Sequence, residues 1–165
     1  MTAVLGGGCD LGTKGWAEHT LSKTATHSTM LWDPWLEFSL AYNRGTAFSL
    51  VRDLGDARWV LGVLAIALVG ALLALALRSD ATTVDRVALG AIAAGAIGNG
   101  LDRVFRPAPG GGTGVVDFVK VNFPWGGSWP AFNVADALVA VGIFVFVLHA
   151  LRRPKPLGPL VAQTG

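Results

Sequence analysis

At 165 residues the chain has room for one domain and a single core. Hydrophobic residues make up 52% and charged residues only 15%, against about a quarter charged in soluble domains, and the mean hydropathy is +0.52. That balance excludes an ordinary cytosolic domain, and a formal net charge of +2 excludes a basic field built for nucleic acid.

The first segment, MTAVLGGGC, is nine residues with no basic side chain. It is too short to cross a hydrocarbon layer of ~30 Å and lacks the charged start of a signal peptide. Gly6, Gly7 and Gly8 each disfavour helix by about 1 kcal/mol relative to alanine. Residues 1–9 are therefore expected not to complete a span, and Cys9 is expected to be a packed apolar residue. A single cysteine excludes an intramolecular disulfide, and His19, His27 and His149 are too scattered for metal-ligand spacing.

After the proline in TMLWDPW, Leu36, Phe38 and Leu40 alternate with Glu37, Ser39 and Ala41, the period of a strand. Residues 59–77 follow as an uncharged run, WVLGVLAIALVGALLALAL, bracketed by Arg58 and Arg78. That length suits a membrane helix. A second span is expected over about 84–101, rich in Ala and Gly and so suited to close packing in the middle of a bundle. PAPGGGTG is a loop, and GVVDFVKV, from Gly114 to Val121, reads as a second strand. A third span covers about 132–151 and ends on Arg152, Arg153 and Lys155. The basic tail and the loop RSDATTVDR fit the cytoplasmic side, which leaves about 22–57 and 102–131 outside. The fold class is thus a mainly α, multi-pass membrane protein with a small extracytoplasmic β-sheet, one membrane-embedded domain over 1–165.

Polar side chains at membrane-helix ends cost a few kcal/mol when they face lipid, so they mark pairing, water or function. They fall in three groups: Asn43–Phe48, Gly98–Arg103, and Val115–Phe118 with Phe132–Asp136. The topology carries all three to one side of the membrane. Asp117 and Asp136 are candidates for a carboxylate pair that shares a proton and acts on a trapped water. Asp102 is expected to pair with its neighbour Arg103 at a helix end. Asn43, Asn99 and Asn133 are neutral donors and acceptors able to hold aspartates or a peptide backbone.

These segments resemble the bacterial lipoprotein signal peptidases, or signal peptidase II. Asp10-Leu11-Gly12-Thr13-Lys14 resembles that family's Asp-x-x-[Ser/Thr]-Lys block, and Asn43 to Phe48 its Asn-x-Gly-x-Ala-Phe. Gly98, Asn99, Asp102 and Arg103 fit Gly-Asn-x-x-Asp-Arg; Gly114–Phe118 and Phe132–Asp136 fit its two aspartate blocks. The resemblance covers about Asp10 to Arg152. It implies four membrane helices and an extracytoplasmic sheet that cradles substrate. Because only nine residues precede Asp10, the expectation here is three full transmembrane helices plus a short or truncated first one.

The implied activity is an aspartic endopeptidase of the inner membrane, monomeric, with its active site facing the periplasm or exterior. It would cut prolipoproteins before the cysteine that carries diacylglycerol, touching membrane lipids but no nucleic acid. By the resemblance Asp117 and Asp136 are catalytic, and Asp10, Lys14, Asn43, Gly45, Asn99, Asp102, Arg103 and Asn133 support the site or hold substrate. No metal or organic cofactor is implied. Two other classes fit less well. A silent membrane protein that binds lipidated peptides or partner helices would be expected to have lost the aspartates, and a transporter subunit would carry its acids nearer mid-membrane.

Overall fold

The structure, a computed structural model, describes residues 1–44 and 57–153. Its order is α1 (Thr2–Leu21), β1 (Ser28–Trp32), β2 (Leu36–Asn43), α2 (Ala57–Ala76), α3 (Thr83–Phe105), β3 (Val115–Val121) and α4 (Val134–Arg152). The helix α3 packs against each of α1, α2 and α4, as its run of small residues leads one to expect. Its start is fixed by a capping box in which Thr82 and Asp85 satisfy each other's backbone N–H groups.

Both α2 and α4 turn apolar side chains outward. Val63, Leu64 and Ile66 on α2, and Val141, Phe144 and Val147 on α4, are all exposed. Such faces need an apolar medium to cover them. Among the described residues, Val134–Arg152 is long and apolar enough to cross a membrane by itself, and the apolar run Val60–Ala76 is shorter.

The strands form one antiparallel sheet in the order β1-β2-β3. The alternation in β2 holds: Phe38, Leu40 and Tyr42 pack on a core of Ala17, Leu21, Val116 and Phe118, which ties the sheet to the end of α1. The register shifts between Phe38 and Ala41 and sets Ala41 opposite Asp117 and Asn43 opposite Val115.

Three expectations are corrected. The first helix is not short: α1 runs 20 residues, as many as α2, and passes straight through the glycine triplet. Packing offsets the poor propensity, because a side chain on Gly6 would stand 2.8 Å from Cβ of Ala94 and 3.1 Å from Leu138, and glycine lets the three helices close up there. Thr2 lies against Gly90, so α1 begins about two turns inside the start of α3. Second, Cys9 is exposed on the outer face of α1, since it is Gly7 and Asp10 that turn inward. Third, α3 continues through Phe105, a turn beyond the expected end at 101, which keeps Asp102 and Arg103 helical. The strand β1 was not expected. Its side chains are mostly exposed, so its sequence carries no alternating signal.

Candidate active site

Asn133 is the N-cap of α4, and its box with Asp136 explains why the helix starts there. Asp136 N donates to Oδ1 of Asn133 at 3.0 Å, and Asn133 N donates back to Oδ2 of Asp136 at 3.1 Å. The Asn133 amide then reaches beyond its own helix. Its Nδ2 donates to Oδ1 of Asp117 at 2.7 Å, and lies 3.1 Å from Oδ1 of Asn99 and 3.2 Å from the Val116 carbonyl. One asparagine, itself fully buried, therefore holds a carboxylate from β3 and a carboxylate from α4.

The two acids sit in different surroundings. Asp117 is buried, whereas Asp136 is partly open. Burial pushes the Asp117 carboxyl up to about 6, and the negative charge of Asp136 pushes the same way. Hydrogen bonds from Asn43 and Asn133 and the charge of Lys14 oppose it. Burial thus favours the protonated form of Asp117.

Beneath the pair lies a buried ionic network. Lys14 is fully buried, and its Nζ meets Oδ2 of Asp10 at 2.6 Å, Oδ2 of Asp102 at 2.9 Å and Oδ1 of Asn99 at 2.8 Å. Those three acceptors match the three donors of an ammonium group. Because Lys14 occupies the Asn99 oxygen, the Asn99 amide nitrogen is turned to Oδ1 of Asp136, at 2.8 Å. Oδ1 of Asp10 accepts from Ala135 N at 2.8 Å and so pins the first turn of α4 to α1. The acids Asp10 and Asp102 are neutralised by their cations and are not free for a metal ion.

The expected pairing of Asp102 with Arg103 does not form. Adjacent helix residues point about 100° apart, whereas residues four apart share a face. Asp102 accordingly meets Arg106 Nε at 2.6 Å, and Arg103 donates instead to the Asn99 carbonyl at 3.1 Å. Gly45 lies outside the described residues. The remaining expected residues, Asp10, Lys14, Asn43, Asn99, Asp102, Arg103, Asp117, Asn133 and Asp136, come together through these bonds.

Glu18, Tyr42 and Arg106 were missed by the sequence reading. Arg106 pairs with Glu18, and Tyr42 donates to Oε1 of Glu18 at 2.7 Å, which carries the network from α3 to the sheet. Burial and the hydrogen bond to Glu18 push the Tyr42 phenol up to about 12. The four-residue spacing from Asp102 to Arg106 was legible; the approach of Glu18 to Tyr42 was not, because it depends on how the sheet meets α1.

The packing here has no slack. A side chain on Gly98 would clash with the Asp10 carboxylate. Gly98→Ala is expected to cost about 1–3 kcal/mol, the usual range for overpacking. Thermal unfolding in detergent measures it, and the added cost of Gly98→Ala should be smaller in an Asp10→Ala background, where the contested space is empty, than in the wild type.

Residues 2–152 match the family model described as signal peptidase (SPase) II. The chain belongs to this family. A lipoprotein signal peptidase of Methylorubrum extorquens is 37% identical over 134 residues, 80% of this chain and 72% of that protein. One from Aquifex aeolicus is 35% identical over 159 residues, 94% of this chain and 86% of that protein. In three dimensions the chain is similar to a bacterial membrane enzyme solved at 1.9 Å by the in meso method, with a TM-score of 0.76 and 25% identity over 93% of this chain and 92% of that one. Membership of the signal peptidase II family makes the chain a membrane-located peptidase of lipoprotein processing. The outward apolar faces of α2 and α4 accord with that location.

Proposed function

We propose that Asp117 and Asp136 are the catalytic dyad of an aspartic endopeptidase that removes signal peptides from prolipoproteins, cutting just before the diacylglyceryl-modified cysteine. The observation that carries this reading is the Asn133 amide, which ties Asp117 to the same asparagine that caps Asp136. Asp136 accepts a hydrogen bond on each oxygen, from Asn99 and from Asn133 N, which suits the ionised partner. Asp117, buried, suits the protonated one. In this mechanism a water held between them loses a proton to the ionised carboxylate as its oxygen attacks the scissile carbonyl. The protonated carboxyl donates to the carbonyl oxygen to give a gem-diol. The proton on the other acid then passes to the leaving amide nitrogen as the C–N bond breaks, while a gem-diol hydroxyl returns its proton to the first carboxylate and leaves a carboxylic acid product.

A pH profile tests the shared proton. The active pair carries one proton; acid adds a second and alkali removes the last. The alkaline limb of kcat/KM, which reports the free enzyme, should therefore lie at about 6, where burial holds the Asp117 proton, and that of kcat should lie higher, since bound peptide displaces further water from that site. A rate flat from mildly acidic to strongly alkaline buffer would contradict it.

In the proposed topology α2, α3 and α4 span the bacterial inner membrane with α1 packed among them and starting about two turns inside α3, the protein is a monomer, and the dyad faces the periplasm. The basic residues Arg152 and Arg153, at the far end of α4 from Asp136, support this placement. With exposed Cys9 replaced by serine, a cysteine at exposed position 25, in the loop after α1, should react in intact cells with a membrane-impermeant maleimide, and one at position 80 should not. The reverse pattern would invert the orientation.

A further inference from the structure

Four of the six tryptophans of the chain, Trp32, Trp35, Trp125 and Trp129, lie at one end of the sheet. They are 68%, 40%, 79% and 60% exposed, and Met30 and Leu31 beside them are about half exposed. A backbone hydrogen bond from Asn122 N to the Trp35 carbonyl, at 2.8 Å, joins the two loops that carry them, and Trp129 N donates to the Val121 carbonyl at 2.8 Å and closes the second loop on itself. Gly126 and Gly127, both with positive φ, close the tight turn that presents Trp125, which stacks on Phe123 with ring centroids 5.4 Å apart. The patch is thus a built, ordered surface, and water is a poor medium for it.

Its place beside the bundle says what covers it. Trp16 of α1, itself 45% exposed, meets Phe38 edge-on at 5.2 Å and Phe118 at 6.3 Å. The sheet therefore rests against the outer flank of α1 more than a turn before that helix ends. In the proposed topology α1 ends at Leu21 on the dyad side of the membrane, and the aromatic end of the sheet then lies beside the outer boundary of the bilayer. Indole rings favour that boundary, since the ring is apolar and the N–H can still reach water or headgroups. Asp33 at the same tip, and the Lys120–Glu37 pair at 3.2 Å behind it, belong in headgroups and limit the depth of insertion.

We propose that this end of the sheet is an interfacial anchor, seated on the headgroup–acyl boundary of the membrane through Trp32, Trp35, Trp125 and Trp129. The anchor fixes the height of β2 and β3, and with them Asp117, relative to the lipid surface from which a lipid-modified substrate must emerge. The inference rests on the membrane location and the proposed topology, and not on the dyad.

Tryptophan fluorescence decides it. The full chain with Trp16→Phe and Trp59→Phe is placed in bilayers of phosphatidylcholine and phosphatidylglycerol, with or without bromine high on the acyl chains. The expected result is blue-shifted emission, most of it lost to the brominated lipid and little of it lost to aqueous acrylamide. Should Trp16→Phe prevent folding, the difference between the wild type and Trp125→Ser/Trp129→Ser gives the same reading. Emission typical of hydrated indole, quenched by acrylamide and untouched by brominated lipid, would overturn the proposal. Protection that appears only on adding a prolipoprotein peptide, or only at high protein-to-lipid ratio, would also overturn it, assigning the patch to substrate or to a second copy. Trp125→Ser/Trp129→Ser should leave cleavage in detergent unchanged, which separates this outcome from a failure of the dyad.

Discussion

Asp117→Asn and Asp136→Asn should each lower kcat on a diacylglyceryl-modified prolipoprotein by roughly 10³-fold or more, the scale on which acid–base catalysis and cooperating catalytic groups operate. The double variant should be little worse than either single one, because the two acids act as a unit and removing one already disables it. Both variants should stay folded. Asparagine keeps the shape of aspartate, and at position 136 its carbonyl oxygen can still accept the Asn133 N–H that starts α4. The measurement is a steady-state assay on purified proteins, with elution volume and melting temperature recorded alongside. Substantial turnover by either single variant would remove this pair as the catalytic centre.

The largest effect on stability is expected at Lys14. Lys14→Met leaves Asp10 without a counterion in a fully buried site and removes one of the two cations from Asp102. Breaking a buried ion cluster from one side costs about 3–5 kcal/mol, much of it the penalty of the abandoned charge. The sign of the compensating change follows. Lys14→Met combined with Asp10→Asn should be more stable than Lys14→Met alone, since the uncompensated charge has gone. Thermal unfolding in one detergent across the single, double and wild-type proteins completes the cycle. A Lys14→Met protein as stable as wild type would mean that the network of Asp10, Lys14 and Asp102 does not hold α1 to α3.

These two predictions draw on different amounts of sequence. The apolar runs of α2 and α4 were legible because an outward apolar face leaves its composition in the sequence. The strand β2 was legible because Phe38 and Leu40 on one face alternate with polar or small residues, and β3 because it is a short β-branched and aromatic run bounded by a glycine-rich loop. Asn133 and Asp136 were legible as a family block at the start of a membrane helix, and the structure adds the capping box they form. What was illegible shares one cause: it depends on partners distant in sequence. The glycines of α1 look helix-breaking until Ala94 and Leu138 close over Gly6. Asp102 looks like the mate of Arg103 until α1 brings Lys14 against it. The orientation of the Asn99 amide, which decides that Asp136 and not Lys14 receives its N–H, exists only once α1, α3 and α4 are assembled.

The central claim is that water, activated between Asp117 and Asp136, attacks the peptide bond directly. The measurement closest to it is mass spectrometry of the products when the wild-type enzyme cuts a diacylglyceryl-modified prolipoprotein in the presence of hydroxylamine. The account predicts one cut, immediately before the modified cysteine, and a signal peptide that ends only in a free carboxylate, because no acyl-enzyme forms for hydroxylamine to intercept. A signal peptide ending in a hydroxamate, or a cut elsewhere in the chain, would contradict it.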